Sequence, residues 1–138
     1  MKYMLLVKAD EASESGAVPD PEGINRMGRY NDELMKAGVL LAGEGLHSSA
    51  DGARVHYSGE ERTVTDGPFA ETKELLAGFW ILEVGSKEEA VEWARRVPFE
   101  SGTVEVRQVF TVDEFDQDNE YVQTELRWRE EQGEARTA

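Results

Sequence analysis

The sequence predicts an α+β domain in which two β-α-β units flank a central hairpin, and three observations carry that prediction. Short apolar runs suited to strands stand at residues 2–8, 39–43, 75–84 and 103–110. A stretch with helical spacing, bounded by start and stop signals, separates the first two runs, and another separates the last two. Between these units, two short strand-like runs surround a turn. At 138 residues the chain has room for one domain of ordinary size and too little for two.

Each element has its own local reason. Residues 2–8 form an apolar run that a doubly buried strand requires, and a polar loop over 9–19 follows. Asp20 is then placed to cap a helix, with Pro21 at its first position and Glu22 near the positive end of the dipole. Ile24, Met27, Leu34 and Ala37, with Tyr30 or Asn31 between, share one face, and Gly38 is the expected stop. Residues 39–43 read as the second strand. The hairpin pairs 53–57 with 62–65 around Ser58-Gly59-Glu60-Glu61, and Asp66-Gly67-Pro68-Phe69 breaks it off. After the strand at 75–84, Ser86 and Glu89 predict a capping box for a helix that carries Ala90, Val91, Ala94 and Val97 and stops at Pro98. Residues 103–110 are the last strand. This order is the split βαβ, or ferredoxin-like, pattern with an inserted hairpin.

Two helices cover only one face of such a sheet. The strands at 2–8, 39–43 and 75–84 are nonetheless apolar at adjacent positions, where a sheet with one wet face should alternate. A second copy of the same sheet is the simplest cover, so the expected state is a homodimer. Beyond a domain spanning residues 1–112, the segment 113–138 is an acidic extension, with nine acidic and three basic side chains. Phe115, Val122 and Leu126 fall on one helical face, which predicts a partly helical tail with its end frayed from Gln132 onward.

Composition narrows the function more by exclusion than by assignment. A net charge of −14 argues against a partner gripped by general electrostatics, so neither nucleic acid nor an anionic membrane is expected. With no Cys, the chain has no disulfide, thiolate nucleophile or cysteine-bound metal. No apolar run approaches the roughly 20 residues of a membrane span, and the expected location is the cytoplasm. His47, His56 and Glu44 match no short metal-binding motif, and no Gly-rich phosphate loop or nucleophile elbow is present. Neither a metal nor another cofactor is expected.

The sharpest local feature is Asp66-Gly67-Pro68-Phe69-Ala70-Glu71-Thr72-Lys73-Glu74. Asp-Gly-Pro is a turn in its own right, and Phe69 would anchor that turn against the domain. The functional alternative makes Asp66 a cleft carboxylate, with Glu71 or Lys73 binding substrate beside it. His47 follows the second strand, and with Glu44 and Asp66 it could form an acid–base group across one cleft, because a His held by a carboxylate is a competent base near neutral pH. His47 is equally readable as a polar loop residue.

This segment resembles the signature of the DGPF group of the YCII-related family. The likeness extends to Lys2-Tyr3-Met4-Leu5-Leu6, Met27-Gly28-Arg29-Tyr30, Ala37-Gly38-Val39-Leu40, Gly43-Glu44-Gly45-Leu46, Gly78-Phe79, Glu92-Trp93-Ala94 and Val104-Glu105-Val106-Arg107, and covers about residues 1–110. The resemblance implies a ferredoxin-like fold paired face to face as a dimeric α+β barrel. Some relatives in the wider family are enzymes with a His–Asp pair, among them a dehydrochlorinase of chlorinated hydroxyhydroquinones. The positions corresponding to that pair fall near Met27 and at Val97, and neither side chain moves a proton, so the dyad does not carry over. Members of the DGPF group are commonly encoded beside extracytoplasmic-function sigma factors, so the resemblance implies a protein partner in sigma-factor regulation. Two readings therefore stand. One is a small-molecule-binding protein, whose catalytic form would be an acid–base enzyme of lyase or hydrolase type, using His47 and Asp66 with Glu44, Glu71 and Lys73 as binding groups. The other is a non-catalytic regulatory or ligand-binding module linked to a sigma factor.

Overall fold

The structure, a computed structural model, describes residues 1–71 and 74–133. Among the described residues, six strands and four α-helices follow one another, in the predicted order apart from α1: β1 (Lys2–Lys8), α1 (Glu11–Glu14), α2 (Pro21–Lys36), β2 (Leu40–Gly45), β3 (Ala53–Ser58), β4 (Glu61–Asp66), β5 (Leu76–Glu83), α3 (Lys87–Arg95), β6 (Val104–Gln108) and α4 (Glu120–Glu131). The main sheet runs β2-β5-β1-β6 with every neighbouring pair antiparallel, which is the ferredoxin-like order. β3 and β4 form a separate two-stranded sheet.

The signals read from the sequence act where expected. Asp20 Oδ1 accepts from the Gly23 amide at 2.7 Å and starts α2 with Pro21 inside its first turn. Gly38, at φ +73°, ends the helix in the left-handed region that a Cβ disfavours. Ser86 Oγ accepts from the Glu89 amide at 3.1 Å, although the Glu89 carboxylate reaches back to the Gly85 amide and not to Ser86. The loop read over 9–19 contains α1, one turn capped by Asp10 and Ser13. It buries no residue, so no apolar spacing announces it.

Helices α2 and α3 pack on one face of the sheet. Tyr3 and Leu5 of β1 and Trp80 and Leu82 of β5 meet Tyr30 and Leu34 of α2 and Ala90 of α3, all buried. Tyr30 donates from its hydroxyl to the Trp93 carbonyl at 2.8 Å and stacks edge-on to Trp80 at 5.3 Å. Burial holds the Tyr30 hydroxyl neutral well above its ordinary ionisation range. On the other face, Met4 and Leu6 lie opposite Ile81 and Phe79, half-buried, beside charges that include Lys8 and Glu105, 3.6 Å apart.

In the extension, the helix begins later than the Phe115 spacing implied. Phe115 lies before α4 and is exposed beside Phe110, with ring centroids 5.4 Å apart, because Asn119 caps the helix by accepting from the Tyr121 and Val122 amides. Val122 and Leu126 are half-buried on α4. Gln132 caps its C-terminal end, and the expectation of fraying from there onward concerns mainly 134–138, outside the described residues.

Candidate functional site

The strand register places three glycines where a cavity opens on the helix-covered face. Gly43 pairs with Trp80, and Gly45 pairs with Gly78, which itself lies opposite Val7 of β1. Adjacent positions on neighbouring strands share a face, so this end of the sheet lacks side chains at several points where the rest of the core is filled. A Cβ on Gly43 would come 2.8 Å from the Trp80 ring, so Gly43 lets the indole lie against β2. A Cβ on Gly78 would come 2.7 Å from the Glu44 carbonyl oxygen. A Cβ on Gly45 would meet nothing within 4 Å.

The space left is a cavity of about 360 Å³. Met27 and Asn31 of α2 wall one side, Asp10 and Ser13 of the α1 turn another, and Phe99 with Ser101–Thr103 a third. Most of its surface is apolar, with a few polar groups around it, which is the usual composition of a small-molecule site. Its charged residues are Lys8, Asp10 and Glu44. Lys8 and Glu44 border it from strand positions whose side chains alternate onto the opposite face, where Lys8 faces Glu105 and Glu44 pairs with Phe79; Asp10 is engaged in the α1 cap. Met27 lines this same cavity.

The residues singled out from the sequence divide between this cavity and the hairpin corner. Glu44 lines the cavity. His47 is 88% exposed, and its Nδ1 lies 3.1 Å from Asp51 Oδ2 across the 3₁₀ turn Ser49–Asp51. Asp66 closes β4 opposite Ala53 and is exposed. The structure does not bring His47 and Asp66 together: no hydrogen bond or ion pair joins them among the described residues, and neither lines the cavity. Glu71 holds Arg54 at 3.3 Å. Lys73 lies outside the described residues. Among the described residues no group of three His, Asp or Glu side chains could hold a metal.

The Asp-Gly-Pro-Phe segment is built as a corner. Gly67 donates to the Gly52 carbonyl at 2.9 Å, and a Cβ there would run into the Ser49 carbonyl oxygen. The Phe69 amide donates to Ser49 Oγ at 3.0 Å, and the Arg54 guanidinium sits 4.0 Å above the Phe69 ring. Ser49 in turn donates to Glu14 of α1 from its amide, at 3.0 Å, and from its hydroxyl, at 2.5 Å. The motif thus ties the hairpin to the turn after β2 and to the helix whose first residues border the cavity.

The sequence reading missed Asn31 as a site residue. Its Oδ1 accepts from Trp80 Nε1 at 2.9 Å, and both residues line the cavity. Helical spacing brought it into view only as an alternative to Tyr30 on the buried face, and no sequence signal pairs it with Trp80.

A family model described as the YCII-related domain matches residues 1–115. An uncharacterised protein of Rhizobium meliloti (strain 1021) is 34% identical over 97 residues, covering 69% of this chain and 78% of that protein. Among solved structures, the 5-chloro-2-hydroxyhydroquinone dehydrochlorinase of Burkholderia phenoliruptrix, in complex with 2,5-dihydroxybenzoquinone, aligns with 84% of this chain and all of its own, at 14% identity and a TM-score of 0.43.

Proposed function

This chain belongs to the YCII-related domain family, and on that footing we propose that it binds a small organic molecule in the cavity between α2 and the sheet. The observation that carries the proposal is the cavity itself, about 360 Å³ with mostly apolar walls, bordered by Gly45, where a side chain would enter open space. If the bound molecule is also transformed by proton transfer, the protein is an acid–base enzyme of lyase or hydrolase type, with Asp10 the carboxylate beside the cavity, since Glu44 pairs with Phe79 and projects from the other face of the sheet. His47 and Asp66 stand outside the reacting centre in this proposal.

The test compares the parent with Gly45→Leu in a thermal-shift screen of small organic compounds. The added side chain enters open space, so the fold should survive while the cavity fills. A compound at 100 times its Kd stabilises the parent by about 2.7 kcal/mol, a shift of several degrees. Hits should raise the melting temperature of the parent and leave the variant unmoved. Hits that shift both proteins equally would overturn the proposal, and His47→Ala and Asp66→Asn should respond as the parent does.

The proposal includes a homodimer, supported by the paired Met4–Ile81 and Leu6–Phe79 positions on the sheet face away from the helices. Light scattering should give twice the 15.5 kDa chain mass, and Leu6→Lys should lower it, since an unpaired charge is costly to bury. No helix among the described residues is long and apolar enough to cross a membrane. We place the protein in the cytoplasm, a setting that suits a chain without Cys. Nothing in the comparisons supports a sigma-factor partner.

A further inference from the structure

We propose that Asn31 is the cavity's oriented hydrogen-bond donor and that the ligand is an uncharged molecule bearing a carbonyl oxygen. This rests on the reading of the cavity as a binding site and adds to it the chemistry of the guest. Trp80 Nε1 can only donate, so the atom of Asn31 at 2.9 Å from it must be the amide oxygen. The partner therefore settles an orientation that an isolated asparagine leaves open. With Oδ1 engaged, the –NH₂ prong is left to the cavity that Asn31 lines, and it has no partner among the described residues.

The prong is held as well as oriented. Asn31 sits in the middle of α2, one residue beyond the buried Tyr30. The donor that holds it, Trp80, is gripped by the edge-on contact with Tyr30 and by the close approach to Gly43. A donor fixed before binding loses little freedom when the ligand arrives, which is what gives one polar contact its selectivity.

The surrounding charge then narrows the class. Asp10 is acidic, whereas Glu44 and the one cation bordering the cavity among the described residues, Lys8, project from the opposite face of the sheet, where Lys8 faces Glu105. A carboxylate or phosphate guest would meet a like charge, Asp10, with no cation on the cavity's side of the sheet among the described residues to offset it. A neutral carbonyl compound presents the acceptor lone pairs that an –NH₂ group seeks and places its carbon skeleton against Met27, Phe99 and Trp80.

The experiment uses the full chain and three probes of nearly one shape: acetophenone, α-methylstyrene, in which CH₂ replaces the carbonyl oxygen, and benzoate. Affinities are read by NMR titration for the parent, Asn31→Asp and Gly45→Leu. Asn31→Asp retains an acceptor for Trp80 and removes the donor. It should weaken acetophenone by about five-fold or more, the worth of one ordinary hydrogen bond, and leave α-methylstyrene within about two-fold. In the parent, acetophenone should move the Asn31 side-chain amide protons, α-methylstyrene should not, and benzoate should bind more weakly than acetophenone. Equal losses for both neutral probes, or no loss for either, would overturn the assignment. So would tighter binding of benzoate, or a parent that binds neither neutral probe at millimolar concentration. Gly45→Leu separates the two levels: if acetophenone discriminates as expected but binds this variant undiminished, the cavity reading itself fails. Should Asn31→Asp unfold, Asn31→Leu replaces it with the same expected loss for acetophenone alone.

Discussion

Two regions of this protein are built on glycine, and they use it in opposite ways. At the hairpin corner, Gly67 is required because another stretch of backbone occupies the place of its side chain: a Cβ would collide with the Ser49 carbonyl. In the cavity, Gly45 is required by nothing in its surroundings, since a Cβ there meets no atom within 4 Å. The first glycine closes space and the second keeps it open. The conspicuous sequence motif is built as a corner, and the glycine on β2 lines the proposed binding cavity.

The contrast can be broken by substitution, and the largest effect should come from the corner. Gly67→Ala forces the backbone around Ser49 to move and should cost about 3 kcal/mol, the upper end of overpacking effects, read as a fall in the denaturation midpoint. Ser49→Ala strips the Phe69 amide of its acceptor and the Glu14 carboxylate of a donor. A loss of about 1–3 kcal/mol is expected, and a Ser49→Ala protein as stable as the parent would show that the corner does not depend on this link.

Behind the cavity wall the expected effect is a pH dependence. Tyr30 ionises at higher pH in the folded protein than its unfolded value of 10.0, because burial disfavours the phenolate. The unfolded chain therefore releases the proton first. Its contribution to stability is complete below pH 10 and is lost as pH rises beyond it. Tyr30→Phe should flatten the alkaline limb of the stability profile relative to the parent; an unchanged limb would remove Tyr30 as its cause.

At the small end, Gly45→Leu should leave stability within about 0.5 kcal/mol of the parent, while its ligand response disappears. Asp66→Asn should change neither, since Asp66 is exposed at the end of β4 and does not line the cavity. Loss of ligand binding in Asp66→Asn would return the corner to the site and undo the comparison.

The fold was legible in the sequence because its signals are local. Asp20 before Pro21, Gly38 after a periodic run and Ser86 before Glu89 each act within one turn of chain. The site was less legible because it is made from pairings across strands. Gly43, Gly45 and Gly78 form one floor only in the β2–β5 register, and a bulge between Leu40 and Ala42 sets that register. The expected meeting of His47 and Asp66 assumed that strand ends near in sequence order would face each other. The turn Ser49–Asp51 instead gives His47 a partner four residues away, a contact that only the turn's conformation creates.

The place of Trp80 has an optical consequence. Its indole lines the cavity with its N–H committed to Asn31, whereas Trp93 lies beneath Arg96 and Trp128 is exposed on α4. Of the three indoles in the chain, then, one is in the path of any guest. Filling the cavity replaces solvent beside that ring and should shift its emission to shorter wavelength. Dissolved iodide, meanwhile, would quench Trp128 first. The protein carries its own fluorescent gauge of occupancy, read without label or dye.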